Sequence, residues 1–165
     1  MRFRIILAPT FVALSTSAFG AELSTVCKPL FATMEKSLQA DHASTTTRGN
    51  DTIKGITVGG VNYLQIGGVW KKSPMSVQEN LEQSRTNLKN AKEYTCKPMP
   101  DSIAGGATVA NYSIRTVGEY AVVDTVIAID KRTGMPVSVS SDIKSDGTSN
   151  HYVTQYSYSG IKAPM

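Results

Sequence analysis

Two histidines, two cysteines and a scatter of Asp and Glu are the residues of this chain whose types could do chemistry. Acid–base work needs a histidine with a positioned partner. His42 lies in a polar stretch, Asp41 to Asn50, and His151 lies in polar sequence near the C-terminal end, so both read as surface residues. Asp124 and Asp130 fall on one strand-like run, but a turn follows at once, and Asp130 reads as its initiating residue. A hydrolase would need Asp124, His151 or Glu119 to converge with other polar groups in one cleft. The sequence contains no Gly-x-Ser-x-Gly elbow, no His-Glu-x-x-His and no glycine-rich phosphate loop. Asn111-Tyr112-Ser113 fits a glycosylation sequon, which has meaning only in a source that glycosylates. The expectation is therefore no catalytic residue, no metal site and no cofactor: the chain reads as a protein that is not an enzyme.

What Cys27 and Cys96 do depends on their compartment. The chain opens with the cationic Met1-Arg2-Phe3-Arg4, continues with the apolar run Ile5 to Leu14, and then reaches the small residues Ser15 to Ala18. This is the order of a secretory signal peptide, with cleavage after Gly20 or Ala21. The run is shorter than the roughly 20 apolar residues that cross a bilayer, and Pro9 interrupts it. Cys27 lacks the setting of a lipoprotein signal. The expected domains are a signal peptide, 1–21, and one exported domain, 22–165, periplasmic or secreted, with no integral membrane segment after cleavage. In an oxidising compartment two cysteines pair, and the expected disulfide joins Cys27 to Cys96. Two free thiols are disfavoured there, and two cysteines without nearby histidines make a poor metal site.

Cleavage also changes the charge. The whole chain has 17 basic and 13 acidic residues; without Arg2 and Arg4 it keeps 15 basic residues, a net charge near +2. The remaining lysines and arginines are dispersed, and none of their clusters is interleaved with aromatic residues, so nucleic acid is not an expected partner.

The elements that must position these residues are legible from period and punctuation. Cys27, Leu30, Phe31, Met34 and Leu38 recur at helical spacing, with Ser24 or Thr25 as cap. The threonine-rich segment after Asp41 predicts an extended strand at a sheet edge. From Thr52 to Lys72, Gly59-Gly60 and Gly67-Gly68 divide three strand-like runs by two-residue turns, which sets Val58 opposite Val61 and Ile66 opposite Val69. One face of that meander collects Ile56, Val58, Val61, Tyr63 and Trp70; the other collects Leu64, Ile66 and Val69 with Thr57, Asn62 and Lys71. Ser76 and Glu79 form a capping box for a second, mostly polar surface helix, and the prolines of Cys96-Lys97-Pro98-Met99-Pro100 end the region. Four antiparallel strands follow, over Ala107 to Val117, Tyr120 to Asp130, Met135 to Lys144 and Ser149 to Ser159. The fold class is α+β: a curved, mostly antiparallel sheet, or half-barrel, with an N-terminal helix and a mid-chain surface helix.

Aromatic residues with a polar handle suit a groove that takes an amphipathic molecule. Tyr63, Trp70, Tyr112 and Tyr156 are the candidates for lining one; completing the core of a β-rich domain is the other reading of the same residues. The Tyr63…Trp70-Lys71 pattern and the turn Ile129-Asp130-x-x-Thr133-Gly134-x-Pro136, in this order of elements, resemble the LolA/LolB-like superfamily of periplasmic lipoprotein carriers. The resemblance implies a half-open barrel over helices and a non-catalytic binding protein for a hydrophobic or amphipathic, lipid-related ligand. An envelope protein-interaction or structural module without a ligand cavity, and a small periplasmic hydrolase, stand as alternatives.

Overall fold

The computed structural model describes residues 24–164; the expected signal peptide and its cleavage site lie outside the described residues. The elements in chain order are α1 (Cys27–Gln39), β1 (His42–Arg48), β2 (Asp51–Val58), β3 (Val61–Ile66), β4 (Val69–Lys72), α2 (Val77–Lys89), β5 (Glu93–Ala104), β6 (Ala107–Val117), β7 (Val122–Asp130), β8 (Pro136–Ser145) and β9 (Thr148–Ser157). The strands form one antiparallel sheet in the order β4-β3-β2-β1-β9-β8-β7-β6-β5. The sheet is curved and does not close, which makes it the α+β half-barrel that the element order implied.

Two expectations are corrected. The threonine-rich strand β1 is not an edge: it pairs with β2 on one side and β9 on the other, joining the two halves of the sheet. Thr46 Oγ1 lies 2.9 Å from Thr154 Oγ1 across that junction, so the threonines supply cross-strand bonds where apolar residues are absent. The prolines after Cys96 do not end a region either. Pro98 and Pro100 lie in β5, an edge strand with a register shift between Met99 and Ser102. A strand pairing on one side only can afford the missing N–H groups. The turn into β6 is a further glycine pair, Gly105-Gly106, both at positive φ. In the meander, Val58 pairs with Val61 and Ile66 with Val69, as the turn chemistry required.

The sheet's two edges, β4 and β5, are consecutive strands, and the chain passes from one to the other through α2. Both helices pack on the concave side. Leu30 of α1 meets Ile114, Ile127 and Ile129 in the main buried cluster, with Met34, Tyr94, Cys96, Tyr112 and Val139 around it. Cys27 is bonded to Cys96, Cα to Cα 5.4 Å, which fastens the start of α1 to β5. The N-cap position of α1 is Val26, without a side-chain cap, and not Ser24 or Thr25; Ser24, ahead of it, accepts the Cys27 N–H on its hydroxyl and the Lys28 N–H on its carbonyl. Ser76 and Glu79 close the capping box of α2. Arg85 of α2 grips Glu35 of α1 with two hydrogen bonds of 2.6 and 3.2 Å.

Candidate functional site

Side chains alternate along each strand, so the register sorts them between the two faces of the sheet. The convex face carries Tyr63 and Trp70 with Ile56 and Val58, and the concave face carries Tyr112 and Tyr156. The four candidate aromatics are therefore not brought to one wall. Tyr156 borders a concave cleft of ≈ 530 Å³ beneath the start of α2, and Tyr63 touches the same cleft from a strand whose register turns its ring outward. Tyr112 borders a separate apolar pocket of ≈ 380 Å³ beneath the first turns of α1, with Leu30, Pro98 and Ile129.

The main cleft is lined by hydroxyl and amide groups, Ser44, Thr46, Thr57, Asn62, Asn80 and Thr154, interspersed with apolar side chains, among them Leu38, Leu64, Met75 and Val77. Among the described residues, no Asp, Glu, Lys or Arg lines it. His42, expected at the surface, is 7% exposed at its inner end. A carbonyl can only accept, so the 2.8 Å contact of His42 Nδ1 with the Ala40 carbonyl puts a proton on Nδ1. Thr57 donates to Asn62 Oδ1 at 2.8 Å, and Asn62 Nδ2 donates to the Met75 carbonyl at 3.2 Å, which secures the segment leading into α2. Tyr156 meets the His42 ring edge-on at 5.6 Å, and Tyr158 stacks on Tyr156 at 6.4 Å. Burial raises the pKa of both phenols, Tyr158 the more, with Tyr156 adding to the effect there. The Tyr158 hydroxyl is buried with no hydrogen-bond partner among the described residues.

Beyond the helices the concave face is open. Val69, Ile66, Ile53 and Thr46 stand in one row across β4, β3, β2 and β1. Ile53, Ile66 and Val69 are 51%, 57% and 60% exposed. The row runs directly into the cleft through Thr46. Sequence reasoning grouped Ile66 and Val69 on one face but missed that this face is the concave one; the signal was present in the alternation, and the choice of face was not.

The carboxylates lie elsewhere. Arg115, Asp124, Asp142 and His151 form a row across β6, β7, β8 and β9 on the convex face. Asp124 bonds Arg115 at 2.7 Å and Asp142 bonds His151 Nδ1 at 2.8 Å, so two facing like charges are each given a partner. His151 is half exposed there. Glu119 sits in the Gly118–Ala121 turn and joins neither group. Asp130 does initiate its turn, accepting the Arg132 N–H at 2.8 Å; that bond, ahead of the other groups of the turn, holds its carboxyl below the ordinary range.

No protein-family model matches this sequence, and no curated protein matches it. Solved structures align with it at low identity. The Mycobacterium tuberculosis lipoprotein LppX aligns with a TM-score of 0.49 at 11% identity, over 83% of this chain and 97% of its own. LprF from Mycobacterium bovis aligns at 0.47 and 9%, over 84% and 95%. A putative outer membrane lipoprotein-sorting protein domain from Vibrio parahaemolyticus aligns at 0.23 and 10%, over 81% and 93%.

Proposed function

We propose that residues 22–165 work as a non-catalytic periplasmic or secreted binding protein that holds an amphipathic ligand on the concave face of the half-barrel, after removal of residues 1–21 as a signal peptide. The observation that carries this reading is the row Ile53, Ile66 and Val69, which stays more than half exposed while facing the same side as the cleft. Full burial of such a side chain is worth about 1.5–3 kcal/mol, so an apolar chain laid across the row gains what the two helices leave unclaimed. The cleft beside it continues the same face, with hydroxyl, amide and apolar groups in its lining. Its one histidine is tied to the Ala40 carbonyl and its nearest hydroxyl donates to Asn62, which suits a structural post better than an acid–base pair.

Native mass spectrometry of protein purified from its exported fraction under gentle conditions tests the reading. A co-purifying mass in the lipid range, lost on solvent extraction and regained on reloading, is the expected result. Recovery of the apo mass alone, with no uptake of a fluorescent acyl probe, overturns it in favour of a module that uses the exposed row for a protein partner. Sequencing the N-terminus of the same sample checks the cleavage: a chain beginning at Ala21 or Glu22 is expected.

A further inference from the structure

We propose that Arg48 anchors the ligand's head, so that the site takes an amphiphile with a carboxylate or phosphate end, its tail passing Thr46 onto the apolar row of Ile53, Ile66 and Val69. This rests on the reading of the concave face as a ligand site. Alternate residues of β1 point to that face: His42, Ser44, Thr46 and Arg48. Six residue steps of strand span about 20 Å, so one strand supplies the floor of a trough of that length. The cleft of ≈ 530 Å³ at the His42 end and a second pocket of ≈ 370 Å³ at the Arg48 end meet at Thr46, which lines both.

Among the described residues that line the two pockets, charge is confined to one end; Lys71 shares the concave face, opposite Leu64. The cleft has no charged residue in its lining, whereas the second pocket is lined by Thr46, Arg48, Asp51, Ile53 and Tyr152. The Arg48 guanidinium carbon lies 6.0 Å from the centroid of the Tyr152 ring, which steadies it over the trough. Its one ion pair among the described residues is a single 3.4 Å contact with Asp51, whose side chain is 72% exposed. An exposed pair of that length contributes little, and a guanidinium has five donors in a fork that matches a carboxylate or a phosphate. An anionic head can therefore replace Asp51 at Arg48 while the tail reaches Thr46 and the apolar row at Ile53. The head stays near water and the tail leaves it, as an amphiphile requires.

The test is titration of delipidated mature protein, below micelle-forming concentrations, with palmitate, palmitoyl lysophosphatidylglycerol, monopalmitoylglycerol and inorganic phosphate. Both anionic amphiphiles are expected to bind about tenfold more tightly than the neutral one, the scale of a charge-assisted fork, with no binding of phosphate alone at millimolar concentration. Arg48→Gln brings the anionic amphiphiles to the affinity that the same variant shows for monopalmitoylglycerol; Asp51→Asn, which deletes the competing carboxylate, enlarges the advantage severalfold. Equal binding of the neutral and anionic amphiphiles, or an advantage that survives Arg48→Gln, overturns the anchor and leaves the binding protein standing. Tight binding of free phosphate overturns it too, by showing an anion site that needs no tail. Binding of none of the amphiphiles overturns both readings.

Discussion

Gly55 on β2 stands opposite Ser44 on β1, and a Cβ at residue 55 would lie 2.7 Å from the Ser44 hydroxyl oxygen. Both residues line the cleft, and Gly55 is not in the left-handed region of φ, so its role is to leave room rather than to bend the chain. The Ser44 hydroxyl turns on a single torsion and can move aside. Gly55→Ala is therefore expected to be close to neutral in stability. Gly55→Leu should fill the cleft floor, lowering acyl-probe affinity by more than about tenfold, beyond 1.4 kcal/mol, while the far-UV spectrum stays native. Unchanged probe affinity in Gly55→Leu would show that ligands do not use this cleft.

Ile127 and Ile66 stand on the same row of the concave face, 0% and 57% exposed. Ile127→Ala should cost about 2–5 kcal/mol, because α1 and its neighbours cannot collapse into the space. Ile66→Ala should cost less than about 0.5 kcal/mol and instead weaken acyl-probe binding. Urea denaturation of both variants beside probe titration checks this; similar stability losses in the two would place Ile66 in the core.

The Cys27–Cys96 bond closes a separation of 69 residues. Loop-closure entropy of that size corresponds to about 4 kcal/mol. The Cys27→Ala, Cys96→Ala double variant should show a loss of that order in denaturant titration, and wild type under strong reductant should follow it. Equal midpoints for oxidised and reduced wild type would remove the disulfide from the account of stability.

Glu35 joins α1 to α2 through Arg85, whose hydrogen bonds hold its carboxyl below the ordinary range; partial burial opposes them, and the charge attraction adds to them. A depressed folded pKa means that the carboxylate's contribution is present above its unfolded value, about 4.3, and is lost as pH falls through the lower folded value. Glu35→Gln should therefore be less stable than wild type at pH 7, with the gap closing in acid. Stability curves from pH 7 to 3 report this, and a gap constant across the range would mean that Glu35 acts through packing.

The sequence by itself determined most of the local structure. Glycine pairs set two hairpin registers, helical spacing marked both helices, Ser76 and Glu79 announced a cap, and export predicted the pairing of Cys27 with Cys96. These are short-range effects of backbone and compartment chemistry. The tertiary structure decided what period and punctuation do not encode. β1 became the seam because β9, more than a hundred residues later, pairs with it. His42 was buried because that seam and the aromatic pair Tyr156 and Tyr158 enclosed it. Alternation divides a strand's residues into two sets, but only the helices select which set lies inside. They covered Ile127 and left Ile53, Ile66 and Val69 open beside Arg48, and that uneven coverage makes the candidate site.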